Sequence, residues 1–282
     1  MQKSIVLKQL LQSDETLIMP DAYDPISARI IEYVGFKAVQ CSGYSFSLSR
    51  CLRNELDISL IDNLSITKTI VDAVSVPVMA DGEDGFGEGE ELANNIKSFI
   101  KIGVAGINIE YQNIREKEIS SRIIDKARMI EKIKTTIEVK KELNIPDFIL
   151  NARTDALAAY QDRNEAIKVA IERANQYLEA GADLCFIPYV REIDEVRILS
   201  KEVKGPISIA LGLAYNINKI NIKQCRELGI ARISLPTLAI LASIKTQMNS
   251  LKSIYHSGEF DEILYKENIL LDMDSLQKMV YK

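Results

Sequence analysis

The sequence predicts a (β/α)₈ TIM barrel with an extra N-terminal helix and a C-terminal helical extension, and three observations carry that prediction. Eight short apolar runs alternate with eight helical stretches along 282 residues. A glycine separates helix from apolar run at four of the junctions: Gly35, Gly103, Gly181 and Gly229. Acidic or glycine-rich segments follow several of the apolar runs, where a barrel of this kind keeps its chemistry.

The elements follow in order. Ser4 to Leu11 reads as an amphipathic helix placed before the first strand. The strands read as Leu17 to Pro20, Ala38 to Ser42, Val76 to Ala80, Gly106 to Glu110, Phe148 to Ala152, Leu184 to Pro188, Ile207 to Leu211 and Arg232 to Leu235. Each is a continuous apolar run, as a strand buried on both faces of a parallel sheet requires. Between them, Leu92, Ile96, Phe99 and Ile100 share one helical face, and Ile167, Ala170, Ile171, Ala174 and Leu178 another. Glycine just past a helix end takes up the left-handed conformation that stops the helix and turns the chain into the next strand. Pro236 to Ser250 forms the last barrel helix. The tail from Phe260 to Tyr281 carries Ile263, Leu264, Ile269, Leu270, Leu271 and Leu276, too many apolar groups to stay free in water. The reading is therefore one domain over 1–282, whose segment 251–282 is a helical tail packed on its own barrel or on a partner subunit.

Composition bounds the function classes. The length suits one barrel of about 250 residues with extensions. Thirty-five basic against 40 acidic residues give a net charge of −5, and no basic stripe suits a nucleic acid. Lys132, Lys134, Lys140 and Lys141 read as a solvated helix face. Cys41, Cys51, Cys185 and Cys225 lack C-x-x-C spacing and His256 is the single histidine, which disfavours a structural zinc site. No window approaches the ~20 apolar residues of a bilayer span, and Met1 to Glu15 does not read as a signal peptide. A cytoplasmic enzyme is the expectation. No G-x-G-x-x-G follows a strand, so a dinucleotide-binding fold loses its best support.

The candidate site is built from strand ends. The third strand leads into Asp81-Gly-Glu83-Asp84-Gly-Phe-Gly87, and the fourth ends in Glu110. Asp81 and Glu83 point the same way if the extended backbone continues. Carboxylates converging on one spot repel unless a cation or proton intervenes. Mg²⁺, with Mn²⁺ as the alternative, suits an oxygen cage that keeps several waters. Arg153, at the end of the fifth strand, can hold a substrate carboxylate by two parallel hydrogen bonds, or pair with Asp155 or another acid. Ser42-Gly43-Tyr44 offers successive backbone N–H groups as an oxyanion nest.

These residues resemble the isocitrate lyase/phosphoenolpyruvate mutase superfamily. The resemblance runs through Pro20-Asp-Ala-Tyr-Asp-Pro-Ile-Ser-Ala-Arg29, Ser42-Gly-Tyr44, Val76-Pro-Val-Met-Ala-Asp-Gly-Glu-Asp-Gly-Phe-Gly87, Gly103-Val-Ala-Gly-Ile-Asn-Ile-Glu110, Asn151-Ala-Arg-Thr-Asp155 and Tyr177-Leu-Glu-Ala-Gly-Ala-Asp183. It implies a barrel whose eighth helix swaps between subunits of a dimer or tetramer, a bound Mg²⁺, and a small anionic α-oxo or 2-hydroxy carboxylate as substrate. It implies Asp81 as direct metal ligand, with Glu83 and Glu110 holding metal-bound water. Ser42, Gly43, Tyr44 and Arg153 become substrate-binding, with Arg153, Tyr44 and Asn54 at the reacting centre.

Two departures mark this chain. Tyr111-Gln-Asn-Ile-Arg-Glu-Lys-Glu118 has neither the cysteine-bearing gating loop of the lyases nor the Lys-Thr-Asn-Ser element of the mutases. The segment 111–122 is expected to act as a lid. Asn54, or Asp57 with a small indel, takes the place of an aspartate near the reacting centre. The expected activity is Mg²⁺-dependent cleavage or formation of a C–C bond through a pyruvate-like enolate. The alternatives are C–P chemistry, as in phosphoenolpyruvate phosphomutase or phosphonopyruvate hydrolase, and a non-catalytic barrel homologue.

Overall fold

The computed structural model describes residues 2–110, 125–260 and 271–281. Eight parallel strands close into a barrel in chain order. They are β1 Leu17–Ala22, β2 Val39–Cys41, β3 Val78–Asp81, β4 Gly106–Glu110, β5 Ile149–Arg153, β6 Leu184–Phe186, β7 Ile207–Ala210 and β8 Arg232–Leu235. Each lies within a residue or two of the run read from sequence. β2, β4, β5, β6, β7 and β8 are buried along almost their whole length, as strands covered by helices outside and packed side chains inside must be. The four junction glycines all take left-handed backbone angles, with φ of 105° at Gly35, 94° at Gly103, 110° at Gly181 and 72° at Gly229.

The N-terminal helix Lys3–Leu11 closes the mouth of the barrel opposite the strand C-termini. Its Leu7 is fully buried in a cluster with Leu17, Met19, Ala38, Met79, Ala105, Ile149 and Leu184. Truncating such a side chain to alanine costs about 2–5 kcal/mol. At the other end of the chain, helix Met273–Val280 packs on helix Pro25–Val34 and buries Met279. Residues 261–270 of the tail and the proposed lid at 111–122, including Tyr111, lie outside the described residues.

The barrel lumen is not purely apolar. Arg232, on β8, is wholly buried; it donates to Ser208 Oγ at 2.7 Å and to Gln40 Oε1, and its Nε lies 3.1 Å from Met19 Sδ. Ser234 Oγ donates to Asp21 Oδ1 at 2.9 Å, and Asn151 Nδ2 to Asn108 Oδ1 at 2.7 Å. Burial pushes the Asp21 carboxyl up to about 8, against the pull of Arg232.

The lysine face needs correction. On helix Lys126–Glu142, Lys132 and Lys140 are buried, while Lys134 and Lys141 are exposed. Lys140 Nζ donates to Asp183 Oδ2 at 2.8 Å, and Lys132 Nζ to the main-chain carbonyl of Asp84. A lysine can bury its methylene stem and still bring its charge to an acceptor, and the acceptors here come from other elements.

Candidate active site

Asp81 ends β3, and the extended backbone stops there. Gly82 N–H donates to Asn108 carbonyl at 2.9 Å and Gly85 N–H to Gly82 carbonyl at 2.7 Å, so the chain turns within four residues. Glu83 consequently sits at φ 48°, a left-handed angle that non-glycine residues rarely adopt. The turn, rather than strand alternation, aims its carboxylate. Lys132 pins the same loop through the Asp84 carbonyl.

The Asp81 carboxylate accepts from Gly43 N–H at 3.0 Å and from the Glu83 backbone N–H. Ser42 caps the short helix Gly43–Ser49 by accepting from Ser45 N–H at 3.3 Å. The Ser42-Gly43-Tyr44 turn therefore adjoins the β3 acid, and its Gly43 amide is engaged by that acid. The Glu83 carboxylate fills the space beside the Gly43 Cα. Tyr44 opens to solvent at the same helix start.

Glu110 ends β4 and stands in register opposite Arg153 of β5. Parallel pairing at this register puts both side chains at the same height on the rim. Arg153 Nη1 lies 2.5 Å from Glu110 Oε2, while its Nε and Nη2 donate to Asp155 Oδ1 at 3.0 and 2.8 Å. The guanidinium also lies 5.8 Å from the centroid of Phe186, whose ring carries Arg232 at 5.7 Å. Of the two readings of Arg153, the structure realises the pairing with acids, at the rim where β4 and β5 end.

Burial raises the affinity of these acids for protons. It pushes Asp81 up, and it pushes Glu83 well above the usual carboxylate range with the help of the Asp81, Glu55 and Glu110 charges. Glu110 is also held well up by burial, against the pull of Arg153. Burial works against the Arg153 charge, but Asp155 and Glu110 outweigh it, so the guanidinium stays protonated.

Two groups that sequence reasoning passed over belong here. Glu55, in the turn Glu55–Asp57, acts electrostatically on Glu83, Glu110, Arg153 and Tyr189. Its neighbours Asn54 and Asp57 are both exposed, so Glu55 is the acid of this turn whose charge reaches the site. The only signal was its place beside Asn54. Tyr189 follows β6, and its phenol feels Arg153, Asp155, Glu110 and Glu55.

The donor set fits a hard cation. It consists of carboxylate oxygens, and Glu83 Oε1 and Glu110 Oε1 are buried without a hydrogen-bonding partner. Among the described residues no three His, Cys, Asp or Glu side chains form a ready metal-binding group. A cavity of about 630 Å³ lies elsewhere, lined by Leu157, Tyr160, Arg163, Arg191, Glu195 and Lys219 among others.

A closed parallel barrel with Arg153 set among acids at the strand C-termini is the arrangement of a (β/α)₈ enzyme. The family profile for phosphoenolpyruvate phosphomutase matches residues 7–255, and the chain belongs to that family. It is 29% identical over 265 residues to a 2-methylisocitrate lyase of Aeropyrum pernix, covering 93% of this chain and 83% of the relative. It is 30% identical over 203 residues to a 2,3-dimethylmalate lyase of Eubacterium barkeri, covering 71% and 68%. The crystal structure of a phosphoenolpyruvate phosphomutase from Streptomyces platensis superposes with a TM-score of 0.86 at 20% identity, over 98% of this chain and 94% of that one.

Proposed function

We propose that the protein is a Mg²⁺-dependent lyase that cleaves or forms a C–C bond beside an α-oxo or 2-hydroxy carboxylate. The observation that carries this reading is the juxtaposition at the rim of the Arg153 guanidinium with Glu110 and Asp155, next to Asp81 and Glu83. The named activities of the two curated relatives, 2-methylisocitrate lyase and 2,3-dimethylmalate lyase, support it.

Asp81 would hold Mg²⁺, or Mn²⁺, directly, with Glu83 and Glu110 reaching it through water; the cation supplies positive charge to the substrate's carboxylate and α-oxygen. Arg153 grips the carboxylate of the departing portion, with its fork already oriented by Asp155. Ser42 and Gly43 line the substrate's near end. Tyr44, half-exposed at the rim, and the Glu55 carboxylate move protons to and from the reacting atoms, while Asn54 borders the entrance. As the C–C bond breaks, charge moves onto the α-oxygen, where fixed dipoles and charges are worth several kcal/mol of barrier.

The last barrel helix, Leu238–Ser257, exposes Leu238, Leu241, Ile244, Met248 and Leu251 along one stripe and buries only Ile240 among its residues. That stripe suits a homo-oligomer, dimer or tetramer, in which this helix packs on a neighbouring subunit. The four cysteines are unpaired and, among the described residues, no helix is long and apolar enough to cross a membrane; both suit the cytoplasm.

The family profile itself favours a second reading, phosphomutase or phosphonopyruvate hydrolase chemistry at a C–P bond. Incubation with Mg²⁺ and a panel of 2-hydroxy diacids, oxaloacetate and phosphonopyruvate separates them. Formation of a 2-oxo acid from a diacid supports the lyase, whereas phosphorus NMR turnover of phosphonopyruvate alone reverses the ranking. Inertness towards all of them, with no Mg²⁺ effect on melting or on oxalate binding, leaves a non-catalytic barrel.

A further inference from the structure

One rung of the barrel carries the arginine of the site down into the lumen. Strand pairing sets Glu110 of β4 against Arg153 of β5, Arg153 against Phe186 of β6, Phe186 against Ser208 of β7, and Ser208 against Arg232 of β8. Their sequence neighbours Ala152, Cys185, Ile209 and Ile233 belong to the core shared with the surrounding helices, so the rung itself faces the lumen. Barrel strands are tilted and staggered. The rung therefore starts at the rim with Glu110 and descends to Arg232, which pairs onward with Leu17 of the basal apolar cluster.

Arg232 is an expensive residue in that place. It is wholly buried, and among the described residues its hydrogen-bonding partners are all neutral: Ser208 Oγ at 2.7 Å, Gln40 Oε1, and Met19 Sδ at 3.1 Å. Asp21 and Asp81 act on its charge without pairing with it directly, and burial lowers the guanidinium to about 10, which leaves it charged at neutrality. A buried charge without an ion pair is a burden on stability, and barrel interiors are ordinarily filled by branched apolar side chains.

Phe186 is where this charge meets the site. The Arg232 guanidinium lies 5.7 Å from the centroid of the ring, and the Arg153 guanidinium lies 5.8 Å from the same centroid. Both distances fall within the range of a cation–π contact. Arg232 is itself anchored at two further strands, on Ser208 of β7 and Gln40 of β2. The ring is thus held from below by an anchored fork, and it backs the fork that pairs with Glu110 and Asp155 above.

We infer that Arg232 is a positioning residue for Arg153 and acts on it through the Phe186 ring. The inference rests on the reading that Arg153 grips the distal carboxylate of a diacid, and it adds the two side chains that keep that grip at the height of the rim.

Calorimetry on the full-length protein with Mg²⁺ tests this with two probes: malate, a 2-hydroxy diacid, and oxalate, which stands for the metal-held end alone. Arg232→Met fills the lumen without a charge. It should weaken malate by about tenfold or more, the scale of a misplaced site group, and leave the Kd for oxalate within about twofold. Phe186→Leu, which leaves Arg232 on Ser208 and Gln40, should show the same selective loss. The double variant should bind malate no more weakly than the weaker single one, since residues that act in series are not additive. Arg232→Lys, which keeps the charge but not the fork, should recover part of the loss. Melting temperatures tell a displaced Arg153 from a misfolded barrel; should Arg232→Met melt early, Arg232→Gln takes its place. Additive losses, equal losses for both probes, or an unchanged malate Kd on removal of the Arg232 charge overturn the inference while leaving the carboxylate site standing. A wild-type protein that binds oxalate but not malate overturns the reading of Arg153, and one that binds neither overturns the site itself.

Discussion

A Cβ on Gly43 would stand 1.6 Å from Glu83 Oε1. The absence of a side chain at Gly43 is therefore what lets the Glu83 carboxylate reach into the site, and the constraint runs between two strand ends forty residues apart. The obstructed atom is the tip of a flexible side chain, so Gly43→Ala should displace the carboxylate without moving the barrel. We expect a stability change below about 1 kcal/mol and a fall in kcat/KM of about tenfold or more. Shortening the acid in the same background, Gly43→Ala with Glu83→Asp, should recover part of that loss. Thermal melts and steady-state kinetics on the three proteins check this.

Asp81, Glu83 and Glu110 all hold protons more tightly than free carboxyls because they are buried, and neighbouring acids add to the effect at Glu83 and Glu110. A divalent cation needs them deprotonated, so binding releases protons and the apparent affinity rises with pH. Titrations of Mg²⁺ at several pH values near neutrality should show this slope. Asp81→Asn should abolish the Mg²⁺-dependent rise in melting temperature. A pH-independent affinity would contradict the shared burial of these groups.

Asp21 makes a separate pH prediction. Its carboxyl rises from an ordinary 3.8 to about 8 on folding, because burial outweighs Arg232. The folded state therefore binds the proton more tightly than the unfolded chain. Its contribution is fully present below about pH 4 and fades as pH rises towards about 8. The slope has an upper bound of about 1.4 kcal/mol per pH unit for one proton. In chelator, the wild-type melting temperature should fall over this window, and Asp21→Asn should flatten the fall.

Arg153 serves Glu110 with one nitrogen and Asp155 with two. Lysine offers a single charged point and cannot hold both acids in this geometry. Arg153→Lys should lower kcat/KM by roughly a hundredfold, on the scale of a misplaced site group. Arg153→Ala leaves buried Glu110 without its ion pair and should cost about 3 kcal/mol or more in denaturant unfolding.

Leu241 lies in the middle of the exposed stripe on helix Leu238–Ser257. If that stripe packs on a second subunit, Leu241→Asp should shift the sedimentation coefficient to that of a smaller species. Truncation after Gly258 should weaken the same assembly. Unchanged profiles for both would remove the helix from the interface.

The barrel was legible because its signals are local. A strand buried on both faces must be apolar throughout, and a helix that turns into such a strand needs a residue at ease with positive φ, so Gly35, Gly103, Gly181 and Gly229 announce the repeat. The rim residues Asp81, Glu110 and Arg153 were legible for the same reason, since a strand end is defined by where its apolar run stops. Glu83 lies beside Asp81, but a turn at φ 48° aims it, not continued extension. Lys132 and Lys140 read as a wet face in sequence because lysine composition says nothing of the acceptors that Asp84 and Asp183 offer them. Glu55 was overlooked for its neighbours because counting along a chain cannot tell which of four residues in a short turn faces inward.

The amino-acid sequence alone determined the barrel, its glycine-terminated helices and the set of acids and one arginine delivered to a single rim, since period, punctuation and strand ends are properties of neighbouring residues. Only the tertiary structure decided which acid of the 54–57 turn acts on the site, that Gly43 yields its space to Glu83, and that Tyr189 comes within electrostatic reach of Arg153. Those are contacts between residues tens to more than a hundred positions apart. Close packing and long-range charge fix them, and neither leaves a pattern in the local sequence.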